Sequence, residues 1–282
     1  MNYYDHLVDA VHNIFARKQI AKITKSGLPL FGEIAIETIN QCNGNCSFCP
    51  VNRVDNPRKR EIMEYEMFMQ ILDQLRDLDY HGIVSMNGNN EPLLDKRTPE
   101  FLAQIKRVIP ACATWMCTNG TLLDHIKLKE IMENLDHLFI DNYRGEQGKA
   151  IIDTFNLDQF PGAITVGHID PQSVRTTRAG QAKNKKATPG LKSPCIYPFN
   201  FIFIRSNGDV SQCCNDALGK STMGNIREQS LFEIWHGKEF NRVRNELLVS
   251  RQNNELCRNC DVFLTFPDWL RTIKRMLIGK SI

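Results

Sequence analysis

Ten cysteines stand in this chain of 282 residues, and seven of them fall into two groups. Cys42-x3-Cys46-x2-Cys49 lies inside NQCNGNCSFCP. Three thiolates can hold three corners of a cubane iron–sulfur cluster and leave one iron open to a small-molecule ligand, where chemistry can happen; full protein ligation uses four. A zinc site completed by a remote ligand, or a cluster serving only electron transfer, would use the same residues. The second group, Cys195-x17-Cys213-x43-Cys257-x2-Cys260, supplies four thiolates, enough to saturate a second cluster or a structural zinc ion. Cys112, Cys117 and Cys214 remain. The first two bracket a predicted strand and read as small buried core residues, since free cysteine is among the most buried types.

The elements that must position these groups follow from hydrophobic periodicity. After an N-terminal helix, about Tyr3 to Ala16, and a basic connection leading to Pro29, apolar strand-like runs alternate with amphipathic helices, the pattern of a parallel α/β unit. Strands are expected at Glu33–Ile39, Gly82–Asn87, Cys112–Cys117, His137–Asn142 and Ala163–His168, with helices at Met63–Leu78, Pro99–Val108 and Leu122–Leu135. In such units chemistry belongs at the carboxyl ends of the strands. Between Pro171 and Pro194 the pattern breaks into a basic linker or active-site loop. Phe199–Arg205 and Asp209–Gln212 then flank Ser206-Asn207-Gly208, a hairpin signal. Helices follow at about 229–235, 238–249 and Pro267–Ile278, and no internal repeat or low-complexity tract is visible.

Composition bounds the function. With 42% hydrophobic residues the chain can bury one large core, or a core plus a small unit. A balance of 35 basic against 32 acidic residues gives no concentrated positive field, so no nucleic-acid partner is expected. No apolar run approaches the roughly 18 residues of a membrane span. Asp5, His6, Asp9 and His12 interrupt the start, where a signal peptide needs an apolar stretch. A cytoplasmic protein is expected, and in that compartment a disulfide framework is not. The basic amphipathic tail Arg271–Lys280 reads as a solvated helix face.

Taken together, the motifs resemble the radical S-adenosylmethionine (SAM) superfamily. Its C-x3-C-x2-C signature has an aromatic residue before the last cysteine, and Phe48 stands there. Gly88-Asn89-Asn90-Glu91-Pro92, after the second strand, is similar to the Gly-Gly-Glu-Pro segment whose backbone and acidic side chain meet the SAM amino group. Thr118-Asn119-Gly120 matches a Thr-Asn-Gly turn, and Asp141-Asn142 occupies the neighbourhood of the ribose hydroxyls. The stretch from Cys195 to Cys260 resembles the SPASM or Twitch auxiliary-cluster extension in its one-cluster form. The resemblance, nearest to Twitch-type aminocyclitol dehydrogenases, implies a partial (β/α) barrel of radical SAM type with a small C-terminal Twitch-like domain. The expected divisions are residues 1–31, barrel 32–170, loop 171–194, auxiliary domain 195–261 and C-terminal helix 262–282.

It further implies two [4Fe-4S] clusters, SAM, a small-molecule substrate and a flavodoxin- or ferredoxin-like electron donor. In the family a 5′-deoxyadenosyl radical removes a hydrogen atom from an unactivated C–H bond. The substrate radical then loses an electron, giving a ketone from an alcohol, or regains a hydrogen from a thiol, giving an epimer. Cys214, beside a cluster ligand, is the candidate thiol. Arg175 and Arg178 could bind an anion, stabilise an alkoxide or be solvated loop charges, and His168 and Asp170 are candidate bases by position, a structural role being the alternative for His168. The alternatives are a peptide-modifying radical SAM enzyme and a metal-binding module without catalysis.

Overall fold

The computed structural model describes residues 3–51, 56–173, 176–182 and 191–262. Arg175, most of the basic loop and the C-terminal helix expected at Pro267–Ile278 lie outside the described residues.

Helix α1 (Tyr3–Ile23) continues about two turns past its expected end, absorbing much of the basic connection. Four βα units and a fifth strand then alternate. Strand β1 (Glu33–Ile36) is followed by α2 (Tyr65–Asp77), which buries Met67, Phe68, Ile71, Leu72 and Leu75 on one face, the stripe its periodicity predicts. Next come β2 (Ile83–Ser85), α3 (Thr98–Val108), β3 (Ala113–Thr118), α4 (His125–Met132) and β4 (His137–Asn142). Helix α5 (Gly145–Ile152), which periodicity did not reveal, and β5 (Ile164–His168) complete the series.

A short helix α6 (Tyr197–Asn200) leads into β6 (Phe201–Ile204), all of whose residues are buried. The turn at Ser206–Gly208 returns the chain as β7 (Asp209–Ser211), and the Asn207 side chain accepts from the Asp209 amide at 3.1 Å. Gly208 has φ +89°, the left-handed conformation that the turn requires and glycine adopts freely. A further strand, β8 (Thr222–Asn225), joins β7.

The sheet order is β5-β4-β3-β2-β1-β6-β7-β8. Strand β1 pairs in parallel with both β2 and β6, whereas β6 to β8 are antiparallel. The sheet is open, and it runs across residue 195 without a break. The auxiliary region is therefore built as an extension of the barrel edge.

Helices α7 (Leu231–His236) and α8 (Lys238–Val249) close the same core. A reciprocal capping box between Ser230 and Glu233 starts α7. Trp235 is fully buried, donates from Nε1 to the Pro29 carbonyl at 2.8 Å, and meets Phe31 edge-on at 5.4 Å. It thus pins α7 to the segment entering β1. Arg251, also fully buried, donates to the carbonyls of Pro194 and Val262 and holds together the chain just before Cys195 and just after Cys260. Asp9 of α1 accepts from the amides of Lys192 and Ser193, anchoring the same approach to Cys195. Among the described residues no helix is long and apolar enough to cross a membrane.

Removing the Trp235 ring leaves a cavity where α7 meets the strand β1 approach. Trp235→Ala is expected to cost about 3–5 kcal/mol in denaturant unfolding, and Trp235→Phe clearly less.

Candidate active site

A cavity of about 620 Å³ opens at the carboxyl ends of the strands. Cys42, Cys46, Cys49 and Phe48 line one side of it, and Arg178, Tyr197 and Cys214 another. The pleat decides which strand residues reach it. Along β3 the buried residues Thr114, Met116 and Thr118 alternate with Trp115 and Cys117, which face the cavity. Cys117 is therefore a wall residue, not the core residue expected. Its Sγ lies 3.2 Å from the Asp141 carboxylate, to which the Tyr143 hydroxyl also points at 3.4 Å. Cys112 is buried in the core as expected, its thiol donating to the Tyr80 carbonyl.

Glu91 ties the strand ends together. Its carboxylate accepts from the Thr118 hydroxyl at 2.7 Å, the Asn119 amide at 2.7 Å and the Leu93 amide at 3.1 Å. Its own amide donates to the carbonyl of Gln41, the residue before Cys42. Burial pushes the carboxyl above its ordinary range, and these hydrogen bonds pull against that. The resemblance assigns the side chain to the SAM amino group; in the structure three protein donors surround it. Asn119 reaches the cysteine loop from the other side, donating to Asn43 at 2.8 Å.

Asn89 is the second junction. Its backbone amide donates to Glu37 at 2.8 Å, its Nδ2 donates to the Cys214 carbonyl at 3.1 Å, and its Oδ1 accepts from Arg178. Glu37 is fully buried and paired with Arg58 at 2.7 Å. Neither Glu37 nor Arg58 stood out in the sequence, although two carboxylates four residues apart in the run EIAIE, enclosing the apolar residues of a central strand, were a usable signal. Asn90 accepts from the Gly88 amide at 2.9 Å, closing the turn. A Cβ on Gly88 would stand 2.7 Å from Phe203 and 2.9 Å from Glu37, so only glycine fits.

The three thiols of the first group gather around Gly44. Its amide donates to Cys42 Sγ at 3.2 Å, and a Cβ there would lie 3.3 Å from Cys42 Sγ and 3.9 Å from Cys46 Sγ. Burial, and then the charge of Glu91, push the Cys42 thiol up to about 11, so the protein alone does not favour the thiolate. A bound positive centre would reverse that, as coordination deprotonates thiols. In the second group Cys213 is raised by burial and by the nearby Cys257, Cys260 and Cys195 thiols, which places the four together. Gln212 donates to Cys257 Sγ at 3.0 Å, and all ten cysteines are free of disulfides. Among the described residues, no three His, Cys, Asp or Glu side chains converge as a single metal ion requires.

Cys214 follows Cys213 of the second group yet faces the cavity, packed against Ala35, Phe201 and Tyr197. Burial pushes its thiol up to about 11, with the Arg178 charge and the Tyr197 hydroxyl opposing. Arg178 and Ala179 have φ of +49° and +54°, in the left-handed region costly for residues with a Cβ. Thr177 holds that conformation by bonding to Asp261 at 2.7 Å and to the Asn259 carbonyl at 2.7 Å, next to Cys260. The Arg178 guanidinium is thereby aimed at Asn89 and the Cys214 carbonyl. His168 and Asp170 are not brought to the site. Gly167 turns its bare face toward Asp141, so His168 points the other way, exposed and bonded to Asn142 at 3.0 Å. Asp170, also exposed, accepts from the Gln172 amide in its own turn.

Glu33 lines the cavity and was not a candidate in the sequence. It accepts from Trp115 Nε1 at 3.1 Å. Burial pushes its carboxyl from 4.5 up to about 7, only partly offset by Ser85 and Trp115. Between those two values the unfolded chain releases this proton while the folded protein keeps it. Stability therefore falls as pH rises through the window. Glu33→Gln lacks this titration, so its stability relative to the parent is expected to increase by ~3 kcal/mol between pH 4.5 and pH 8, read by denaturant unfolding.

With this geometry in place, comparison with known proteins is specific. The Radical SAM superfamily profile matches residues 36–143 and the SPASM iron–sulfur cluster-binding domain profile matches residues 195–261. The S-adenosyl-L-methionine-dependent 2-deoxy-scyllo-inosamine dehydrogenase of Niallia circulans is 30% identical over 239 residues, which is 82% of this chain and 93% of the relative. The crystal structure of BtrN in complex with AdoMet and 2-DOIA superposes with a TM-score of 0.74 at 27% identity, over 83% of this chain and 94% of BtrN. The open conformation of BtrN gives 0.63 at 26% identity. Streptococcus suis SuiB bound to its precursor peptide shares the fold alone, at 16% identity and a TM-score of 0.52. The open sheet is thus the partial barrel expected, and the chain belongs to the radical SAM superfamily, with a SPASM iron–sulfur domain at its C-terminal side.

Proposed function

We propose that this protein is a radical SAM dehydrogenase that oxidises a secondary alcohol of a small polar ring, of the cyclitol or aminocyclitol class, to a ketone. The observation that carries this is a single cavity with the three-cysteine loop on one wall and, on another, Cys214 next in sequence to Cys213 of the second group. Similarity to an inosamine dehydrogenase along 82% of the chain supports the substrate class.

The residues fit two [4Fe-4S] clusters, held by Cys42, Cys46 and Cys49 and by Cys195, Cys213, Cys257 and Cys260. When bound, the first cluster with SAM supplies a hydrogen-abstracting radical and the second an electron acceptor. The chain's own residues do the rest. Gly88, Asn89 and Asn90 shape the turn for the methionine end of SAM. Phe48, whose ring lies 5.9 Å from Tyr143, and Asp141 bound the nucleoside side. Phe201, Val51 and Ala35 keep that wall apolar and limit water. Arg178 has a buried Nε without a partner among the described residues, an N–H donor available to the oxygen of the reacting carbon as its proton leaves. A small flavodoxin- or ferredoxin-like protein is the proposed electron source, and a reducing compartment such as the cytoplasm suits ten free cysteines.

A second reading has one observation in its favour. Cys214 and Cys117 both line the cavity and burial raises both thiols, so each stays protonated at neutral pH and could return a hydrogen atom, giving an epimer.

Reconstituted enzyme given 2-deoxy-scyllo-inosamine should form one ketone per SAM consumed, with no solvent deuterium at the reacting carbon. Deuterium entry that disappears in Cys214→Ala selects epimerisation instead. Replacing Cys42, Cys46 or Cys49 by alanine should abolish 5′-deoxyadenosine release. Arg178→Met should lower kcat by about 10²–10³-fold if its donor serves the departing proton's oxygen.

A further inference from the structure

Within the dehydrogenase reading, on which this rests, we propose that Glu33 is the cation-binding subsite of the cavity. It would hold a protonated amine of the substrate at the end away from the three-cysteine loop. Glu33 is the first residue of β1, and the chain climbs from it through Ile36 before reaching Cys42. At about 3.3 Å per residue the strand alone separates its Cα from that of Ile36 by roughly 10 Å. Ala35, the next residue on the same face, carries only a methyl group, and Cys117 and Cys214 are also small. The shaft above the carboxylate is therefore open to the rest of the cavity.

Around Glu33 the walls are aromatic. Phe201 stands beside it in register on β6, and Trp115 and Tyr197 complete the surround. A carboxylate lined by aromatic side chains can bind ammonium through charge, with ring surface nearby for cation–π attraction; Trp115 itself presents its N–H edge to Glu33. Among the described residues no cation is paired with Glu33. Among the described residues that line the cavity, Arg178 is the one cationic side chain. Arg178 is committed to Asn89 and Cys214, and the other acids of the cavity, Glu91 and Asp141, add negative charge. A structural residue bonded to Trp115 could equally be glutamine. An unpaired carboxylate facing a cavity costs stability until a cation arrives. Its depth also sets it apart from the reacting carbon, which must lie near the cysteine-loop end.

The test uses the reconstituted full chain with SAM and two probes: 2-deoxy-scyllo-inosamine, and the same cyclitol with a hydroxyl replacing the amine. Equilibrium Kd and steady-state kcat/KM are measured for each. The parent should prefer the amine by tenfold or more, and Glu33→Gln, which keeps an acceptor for Trp115, should bring the ratio close to one through Kd and KM. Equal affinity for the two probes in the parent, including binding of neither, overturns the proposal, as does a preference that survives in Glu33→Gln. An equal loss of kcat on both probes at unchanged Kd would make Glu33 the proton acceptor and likewise overturn it. Because Kd is read without turnover, amine preference without ketone formation leaves this subsite standing while the dehydrogenase reading fails.

Discussion

The buried carboxylate of Glu91 is the tie on which the site depends. A carboxylate with three donors at hydrogen-bond distance, all inside one protein, holds those donors in fixed relation. Here they belong to the end of β3 and to the turn after β2, while the Glu91 amide holds the entry to the cysteine loop. Three separate chain segments meet at a single side chain. The cysteines of the first group owe their place at the mouth of the cavity to this meeting, since the loop itself is irregular and has no ladder of its own.

A second constraint joins the barrel to the auxiliary region. Because β6 pairs with β1, the strand that leads to the first cysteine group also carries the strand that leads to the second. Asn89 reinforces the junction, bonding at once to Glu37 beside β1, to the Cys214 carbonyl and to Arg178. The strained loop at Arg178 is held in turn by the segment next to Cys260. Two cysteine groups separated by more than a hundred residues thus come to one cavity, the first lining a wall directly and the second reaching another wall through Cys214, next in sequence to Cys213.

Much of this was legible beforehand. The cysteine groups, the order of the strand-end motifs and the hairpin rest on short-range spacing, and the hydrophobic stripe of α2 reports its buried face directly. What failed were assignments that depend on which way a side chain points. His168 and Asp170 sit at a strand end as expected, yet a one-residue step in the pleat turns His168 outward. Cys117, one pleat from the core, faces the cavity for the same reason. Helix α5 is short, and β8 carries Gly224 with few apolar residues, so neither has a periodic signal strong enough to separate it from loop.

The sequence by itself determined the two cysteine groups, the α/β class and the family resemblance, because thiol spacing and periodicity are local properties of the chain. Only the tertiary structure decided the use of Glu91 and Asn89 as ties, the pairing of Glu37 with Arg58, and the placing of Glu33 on the cavity floor with no cation beside it among the described residues. Each of those depends on partners distant along the chain, brought within hydrogen-bond range by sheet register. Charge and burial acquire meaning only after that register is set, and for this protein it separates the acids that hold the site together from the one left open to a substrate.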